Sequence, residues 1–393
     1  MSRPAIELAD IFRLHGPAYR QAHSLPVHQH QLMRAIENCR TAALGGHVEQ
    51  CGQCQYIRVS YNSCRNRHCP KCQGKERAQW LEQRKRELLP VEYFHVVFTM
   101  PAPAAAIAYQ NKAVVYDILF RSASETLLTI ARDPKHLGAE IGFFSILHTW
   151  GQNLHHHPHV HCVVAGGGLS ADHDRFLTCR PGFFLPVRVL SRLFRRLFLQ
   201  ALQKAFDQHK LEFFSDLEHL KQAPSFAAYL KPLEDCEWVV YAKPPFGAPE
   251  AVLAYLSRYT HRVAIGNQRL QSLENGTVTF QWKDYQRHNR TRSMTLEADE
   301  FIRRFLQRAL PPGFQRIRHY GFLANAHRRE KLALCRQLLA ANPTGLLPLI
   351  VTAIALTLPP PPVDDSASRC PACRVGVMVI IEVLPRPTRL DSS

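Results

Sequence analysis

Two cysteine pairs, Cys51-Gly-Gln-Cys54 and Cys69-Pro-Lys-Cys72, constrain the fold of this chain more than any other feature. Two thiolates separated by two residues bite one metal ion from a single tight turn, and two such turns close a tetrahedral site. The spacing Cys-x2-Cys-x14-Cys-x2-Cys therefore predicts one structural Zn²⁺ held by Cys51, Cys54, Cys69 and Cys72. A site closed by four ligands has no open position, so it organises a fold and performs no chemistry. Residues 46–75 around the pairs are dense in Cys, His and Arg, with turn residues and little apolar content. Cys64, His68 and His47 offer a second or alternative ligand set, or are simply a buried thiol and surface imidazoles. Cys370-Pro-Ala-Cys373 is half of a zinc ribbon with no second pair after it. It either binds no metal or recruits a distant Cys or His.

The chain carries 49 Lys+Arg against 32 Asp+Glu, a net charge of +17. Such an excess suits a polyphosphate partner, because each neutralised phosphate releases counterions; mere solubility is the bland alternative. Arg65, Arg67 and Lys71 beside the cysteines make the zinc module a nucleic-acid contact, with protein–protein contact the rival. Hydrophobic residues at 46% and charged residues at 21% exclude a disordered or fibrous protein. No signal peptide is visible at the start, and the apolar run Gly345–Leu358 is broken by Pro348 and too short to span a bilayer. Twelve cysteines then point to metal ligation in a reducing cytoplasm, with no membrane partner.

Periodicity divides the chain at about 90 and 340. Residues 1–90 read as amphipathic helix, cysteine-rich module and a charged helix ended by Pro90. Residues 91–340 alternate strands and helices. The strands are Tyr93–Thr99, Phe143–Trp150, His159–Ala165 ended by Gly166-Gly167-Gly168, Trp238–Ala242, and the hairpin Thr277–Lys283 with Arg292–Leu296. Helices fall at about 105–133, 189–208, 249–260, 298–310 and 320–342. Residues 341–393 are a Pro-rich linker and the Cys370/Cys373 tail. The pattern is α+β, an antiparallel sheet flanked by helices with one face carrying the site.

Two features promise chemistry. In His157-Pro-His-Val-His161, His159 and His161 project from one strand face, because side chains alternate along a strand. Two imidazoles on one face can hold a divalent metal, although a surface metal-scavenging tract is the bland reading. A third ligand is needed; Gln152 could reach across the hairpin, with His148 and Asn153 as rivals. Tyr255 and Tyr259 lie one helical turn apart, so both phenols share a side. Two tyrosines at that spacing are otherwise core or base-stacking residues. Arg258 and Arg262 flank them and can hold phosphates. Trp282, Lys283, Arg287, Arg290 and Arg292 form a basic, aromatic hairpin suited to unpaired bases and backbone.

Several stretches together are specific. They are Tyr61–Gln73, His95–Pro101, Gly151–His161, Tyr255–Ala264, Trp282–Tyr285 and Arg316–Asn325. On these residues the chain resembles transposases of the insertion-sequence ninety-one family, the two-tyrosine branch of the HUH (His-hydrophobic-His) single-strand nucleases. The resemblance covers roughly residues 30–340. It implies an HUH fold for residues 91–340 and Mg²⁺ or Mn²⁺ at His159 and His161. It further implies Tyr255 or Tyr259 as nucleophile, single-stranded transposon-end and target DNA as partner, and rolling-circle transposition as the outcome. A plasmid relaxase or rolling-circle replication initiator of the same nuclease class, and a non-catalytic zinc-dependent DNA-binding protein, are the alternatives.

Overall fold

The computed structural model describes residues 6–151, 153–182, 184–243, 263–284, 290–341 and 369–387. They form two compact units, one combining Met1–Arg77, His261–Ala309 and Ile354–Ser393, the other Ala78–Thr260 and Leu310–Ala353.

In the first unit, helices α1 (Leu8–Ala22) and α2 (Val27–Glu37) pack against each other. Leu8, Ile11, Phe12 and Tyr19 form one buried stripe on α1, facing Leu32, Met33 and Ile36 of α2. A capping box of Glu7 and Asp10 starts α1. Strands β8 (Leu270–Glu274), β9 (Thr277–Asp284) and β10 (Arg290–Glu297) run antiparallel in the order β10-β9-β8. Asn275 and Gly276 both take positive φ, 49° and 73°, the turn that a two-residue hairpin requires. The helix Ala298–Leu306 follows, and its Phe305 meets Phe12 edge-on at 5.4 Å. Division along the chain groups this hairpin with the rest of residues 91–340. Its contacts group it with α1 and α2, because the apolar stripe of those helices needs Phe301, Ile302 and Phe305 to close over it.

The second unit is built on an antiparallel sheet. Its strands are β3 (Tyr93–Thr99), β4 (Glu140–Trp150), β5 (His156–Leu169), β7 (Val240–Lys243) and β11 (Ile317–Gly321), in the order β11-β4-β5-β3-β7, with β6 (Phe176–Thr178) paired to β5. One face presents Phe94, Val96, Phe98, Phe143, Leu147, Val160, Cys162 and Val164 to the helices Lys112–Arg132 and Val187–Asp207, forming the main core. The other face has a smaller apolar patch, with Phe144, Ile146, Val163 and Phe322 under Trp80 and the helix Arg328–Ala341.

Four elements differ from the sequence expectation. The stretch 46–61, read as turns, contains the hairpin β1 (Gly46–Cys51) and β2 (Ile57–Tyr61). The helix expected at 105–133 is two, broken at Asn111. The helix expected at 320–342 begins only at Arg328, and residues 317–321 pair with β4 instead. Gly166–Gly168 lie inside β5 and do not end it. A side chain at Gly168 would meet the Glu140 carbonyl oxygen at 2.3 Å and one at Gly167 the Leu177 oxygen at 2.5 Å, so these glycines permit close backbone approach.

Gly321 sits at φ 60°, and a Cβ there would fall 1.7 Å from the Ile141 oxygen. Gly321→Ala is expected to lower stability by about 2 kcal/mol or more, from backbone strain and overpacking together. Urea unfolding followed by tryptophan fluorescence measures it; an unchanged midpoint would contradict this packing.

Candidate active site and metal centres

The register of β4 and β5 builds the histidine cluster. His148 lies directly opposite His159, and Ile146 opposite His161, so all four side chains share the sheet face away from the main core. The ligating nitrogens of His148, His159 and His161 lie within 4.8 Å of one another. His148 and His161 are buried, and His159 is half-buried on the accessible side. The histidine tract is therefore divided by the pleat rather than loose. His156 turns to the other face, where its Nε2 meets the Tyr116 hydroxyl at 2.9 Å.

Local bonds aim the rings. Nδ1 of His159 donates to the His157 carbonyl at 2.7 Å, leaving Nε2 as the lone-pair nitrogen. Desolvation by the surrounding protein holds this imidazole down at about 4, so it is neutral and able to ligate at neutral pH. Nδ1 of His161 meets Nε2 of His95 at 2.7 Å, with the two rings nearly coplanar. If His161 offers Nε2 to a cation, its Nδ1 must carry the proton and donate it to His95. His95 is buried on β3, opposite Val163, and fixes that tautomer. Three imidazoles whose ligating nitrogens converge fit a divalent transition-metal ion.

Sequence reasoning passed over His95, although its place two and four residues before Val97 and Thr99 puts it on the face of His161. His95→Ala is expected to weaken metal binding about 10- to 100-fold, while His95→Gln, which keeps an acceptor, restores part of it. Calorimetric titration with Mn²⁺ reads both; equal affinity in all three proteins would remove His95 from the site.

Of the remaining residues singled out from sequence, Gln152, Tyr255, Tyr259, Arg258, Arg262 and Arg287 lie outside the described residues. His148 supplies the third side chain of the cluster. Lys283 and Arg290 are exposed on the β9–β10 hairpin, and Trp282 is half-buried there, opposite Arg292. Arg292 bonds Asp284 at 3.3 Å. Arg65 is exposed, Arg67 is partly buried, and Lys71 forms an ion pair with Glu7 that ties the cysteine module to the start of α1.

The four cysteines expected to form one site form parts of two. Cys39, Cys64, Cys69 and Cys72 make one cluster, and Cys51, Cys54, Cys370 and Cys373 the other. The reason is the hairpin between the knuckles. Cys51 and Cys54 lie at its turn, whereas Cys64 to Cys72 follow the far end of β2, a five-residue strand spanning roughly 17 Å. Strand β12 (Met378–Leu384) pairs with β1 in the register Cys51↔Met378, which brings the tail cysteines to the turn. Gly376 lets the backbone pass there, since a Cβ would meet Cys51 Sγ at 2.4 Å.

Sulfur separations are 3.4 Å for Cys39–Cys72, 3.5 Å for Cys64–Cys72, 3.6 Å for Cys54–Cys370 and 3.8 Å for Cys51–Cys373. Four thiolates about 2.3 Å from one Zn²⁺ stand about 3.8 Å apart, so both clusters match a closed tetrahedral site. The thiols of each cluster split, some drawn toward thiolate while Cys54 is pushed up to about 11 and Cys64 and Cys69 are raised by neighbouring thiols. Hydrogen bonding with Cys64, then Cys69, draws Cys39 down to about 7. The backbone N–H groups of Gly376 and Val375 draw Cys373 down to about 6. Cys64, offered by the sequence as a second or alternative ligand, joins the first cluster, whereas Cys39 carries no such signal.

A family model described as "Transposase zinc-binding domain" matches residues 11–100, and one described as "Putative transposase" matches residues 142–331. The chain is 59% identical over 392 residues to "Putative transposase y4qJ" of Sinorhizobium fredii (strain NBRC 101917 / NGR234), covering 98% of this chain and 96% of that protein. It is 27% identical over 293 residues to the "Transposase for insertion sequence element IS801" of Pseudomonas savastanoi pv. phaseolicola, covering 73% and 68%. No solved structure matches. A relative 59% identical over nearly the whole of both chains, together with the two family models, shows that the chain belongs to the IS91/IS801 family of transposases with an N-terminal zinc-binding domain.

Proposed function

We propose that this transposase nicks and rejoins single-stranded transposon-end DNA through a 5′-phosphotyrosine intermediate, the chemistry of rolling-circle transposition. The observation that carries the reading is the convergence of His148, His159 and His161 on one sheet face, with tautomers set by His95 and the His157 carbonyl. A divalent ion held there would polarise the scissile phosphate and offset charge building on its oxygens. Tyr255 or Tyr259 supplies the nucleophile. Its phenolic oxygen bonds to phosphorus as the bond to the 3′ oxygen breaks, leaving a free 3′-hydroxyl. A phenol titrates near 10, so its proton has to pass to a base during attack and ends on the departing oxygen. The phosphotyrosine bond conserves the phosphodiester energy, and rejoining needs no nucleotide triphosphate. The other tyrosine accepts the second strand end.

Three imidazoles with no carboxylate joining them among the described residues rank Mn²⁺ above Mg²⁺, because nitrogen donors suit the softer ion. Mn²⁺ is expected to bind about tenfold or more tightly than Mg²⁺ by calorimetry; the reverse order would argue for an added oxygen ligand. In the same reading Zn²⁺ occupies both cysteine clusters. The N-terminal zinc module and the named relatives favour a transposase over a plasmid relaxase. The deciding experiment incubates the protein with Mn²⁺ and a single-stranded oligonucleotide spanning a transposon end, then sequences the nucleotide-bearing peptide by mass spectrometry. A peptide linked through Tyr255 or Tyr259 supports the proposal, and the absence of any adduct across the element's ends refutes it.

A further inference from the structure

The sheet face that carries the histidine cluster continues along β4 and β11 to a second polar site. His319 lies opposite Phe144, four residues from His148 on β4, a separation of about 14 Å along an antiparallel strand. Beyond His319 opens a cavity of about 720 Å³ whose lining includes Arg84, Arg86, Arg328, Arg329 and Arg336. Among the described residues, the carboxylates lining it are Glu87 and Glu330. Glu87 is shared by Arg84 at 3.0 Å and Arg328 at 3.4 Å, and Glu330 faces His327 at 3.8 Å. Arg86, Arg329 and Arg336 are exposed and form no ion pair among the described residues; Arg336 donates to the Arg86 carbonyl and its charge reaches Glu87.

Arg84 forms the floor. It is 8% exposed, its Nη1 meets His319 Nε2 at 2.7 Å, and its Nε is buried without an acceptor among the described residues. Burial, then the Arg84 and Arg328 charges, hold His319 down at about 4, so this imidazole adds an acceptor and no further charge. Five guanidinium groups against two carboxylates repel one another, and folding gains nothing from gathering them. An anion in the cavity would relieve that repulsion, and guanidinium forks match phosphate oxygens.

We propose that this cavity is a backbone-phosphate subsite for single-stranded DNA, holding the strand a few nucleotides from the phosphate that sits at the histidine cluster. The inference rests on the nuclease reading for the identity of the strand. Its role is to fix the register of the DNA, since phosphate contacts position a strand without reading its sequence. Arg84 grips from below, and Arg86, Arg329 and Arg336 close over the backbone from the rim.

The test uses the full chain with all three rim arginines replaced, Arg86→Gln, Arg329→Gln and Arg336→Gln, which leaves buried Arg84 and the histidines intact. Binding of a fluorescent single-stranded oligonucleotide is followed by anisotropy across a salt series. Each lost contact on a single strand removes about 0.7 from the slope of log affinity against log salt. The triple variant should lose about 1 to 2 from that slope and about tenfold or more in low-salt affinity, with Mn²⁺ affinity unchanged. A control of equal charge change replaces exposed Arg188, Arg192 and Arg196 on the helix Val187–Asp207, which packs on the opposite sheet face. A slope equal to wild type in the rim variant, or an equal loss in the control, overturns the subsite. Binding is scored without cleavage, so failure of the nuclease reading would show separately, as wild-type protein that binds DNA but never forms an adduct.

Discussion

Replacing the tail cysteines, Cys370→Ser with Cys373→Ser, should reduce bound zinc from two ions per chain to one and release the C-terminal strand from the N-terminal module. Two of four ligands to the second cluster come from residues more than three hundred positions away from Cys51 and Cys54. Two thiolates do not hold a structural zinc at tetrahedral geometry, so the whole site is lost rather than half of it. Structural zinc contributes on the order of 10 kcal/mol to small modules at neutral pH, comparable to the full stability of a domain. The module has little else to hold this sheet together. Among the described residues, the apolar cluster there consists of Cys51, Cys370 and Met378, with Cys373 packed against it. Val379, Ile380, Ile381 and Val383 of β12 are all more than half exposed. Native mass spectrometry should count one zinc in the variant and two in the wild type. Limited proteolysis should clip residues 369–387 only in the variant. Two zinc ions in the variant, or an equally protected tail, would show that β12 is held by strand pairing alone.

How far the sequence disclosed this arrangement depends on the range of the signal. The pleat is a local rule, and it placed His159 and His161 on one face before any partner strand was known. It could not choose among Gln152, His148 and Asn153, because the third side chain is set by cross-strand register, which a bulge between His148 and Trp150 shifts. Cysteine spacing likewise disclosed metal binding but not which pairs meet. That depended on a hairpin whose second strand, Ile57-Arg-Val-Ser-Tyr61, is short and alternates in the reverse sense, its apolar side chains exposed and its polar ones half-buried, beside a first strand with no apolar run. Cys39 and His95 were invisible for a related reason. Each acts through a partner distant in sequence, Cys72 and His161, and neither carries a spacing motif of its own. The hairpin 277–297 was read correctly as a hairpin and grouped by chain order, whereas burial of Phe280 against Phe301 and of Phe12 against Phe305 groups it with α1.

The double variant Tyr255→Phe with Tyr259→Phe should abolish the covalent protein–DNA adduct and lower strand cleavage by on the order of 10⁴-fold or more, the scale on which an enzyme loses its nucleophile. Phenylalanine keeps the ring and removes only the oxygen that would bond phosphorus. Base stacking and folding therefore persist, and oligonucleotide affinity should change little. The single variants carry more information. If one tyrosine makes the first cut and the other accepts the second strand end, one single variant loses the initial adduct. The other forms the adduct but fails to complete transfer. If the two phenols are interchangeable, each single variant retains an adduct through the remaining residue. Metal binding separates chemistry from architecture in the same set. Mn²⁺ affinity should be unchanged in all tyrosine variants, since His148, His159 and His161 provide the converging nitrogens, whereas His159→Ala with His161→Ala should lose the ion and the adduct together. An adduct that survives in the double tyrosine variant would transfer the nucleophile to another residue and end the two-tyrosine reading of this site.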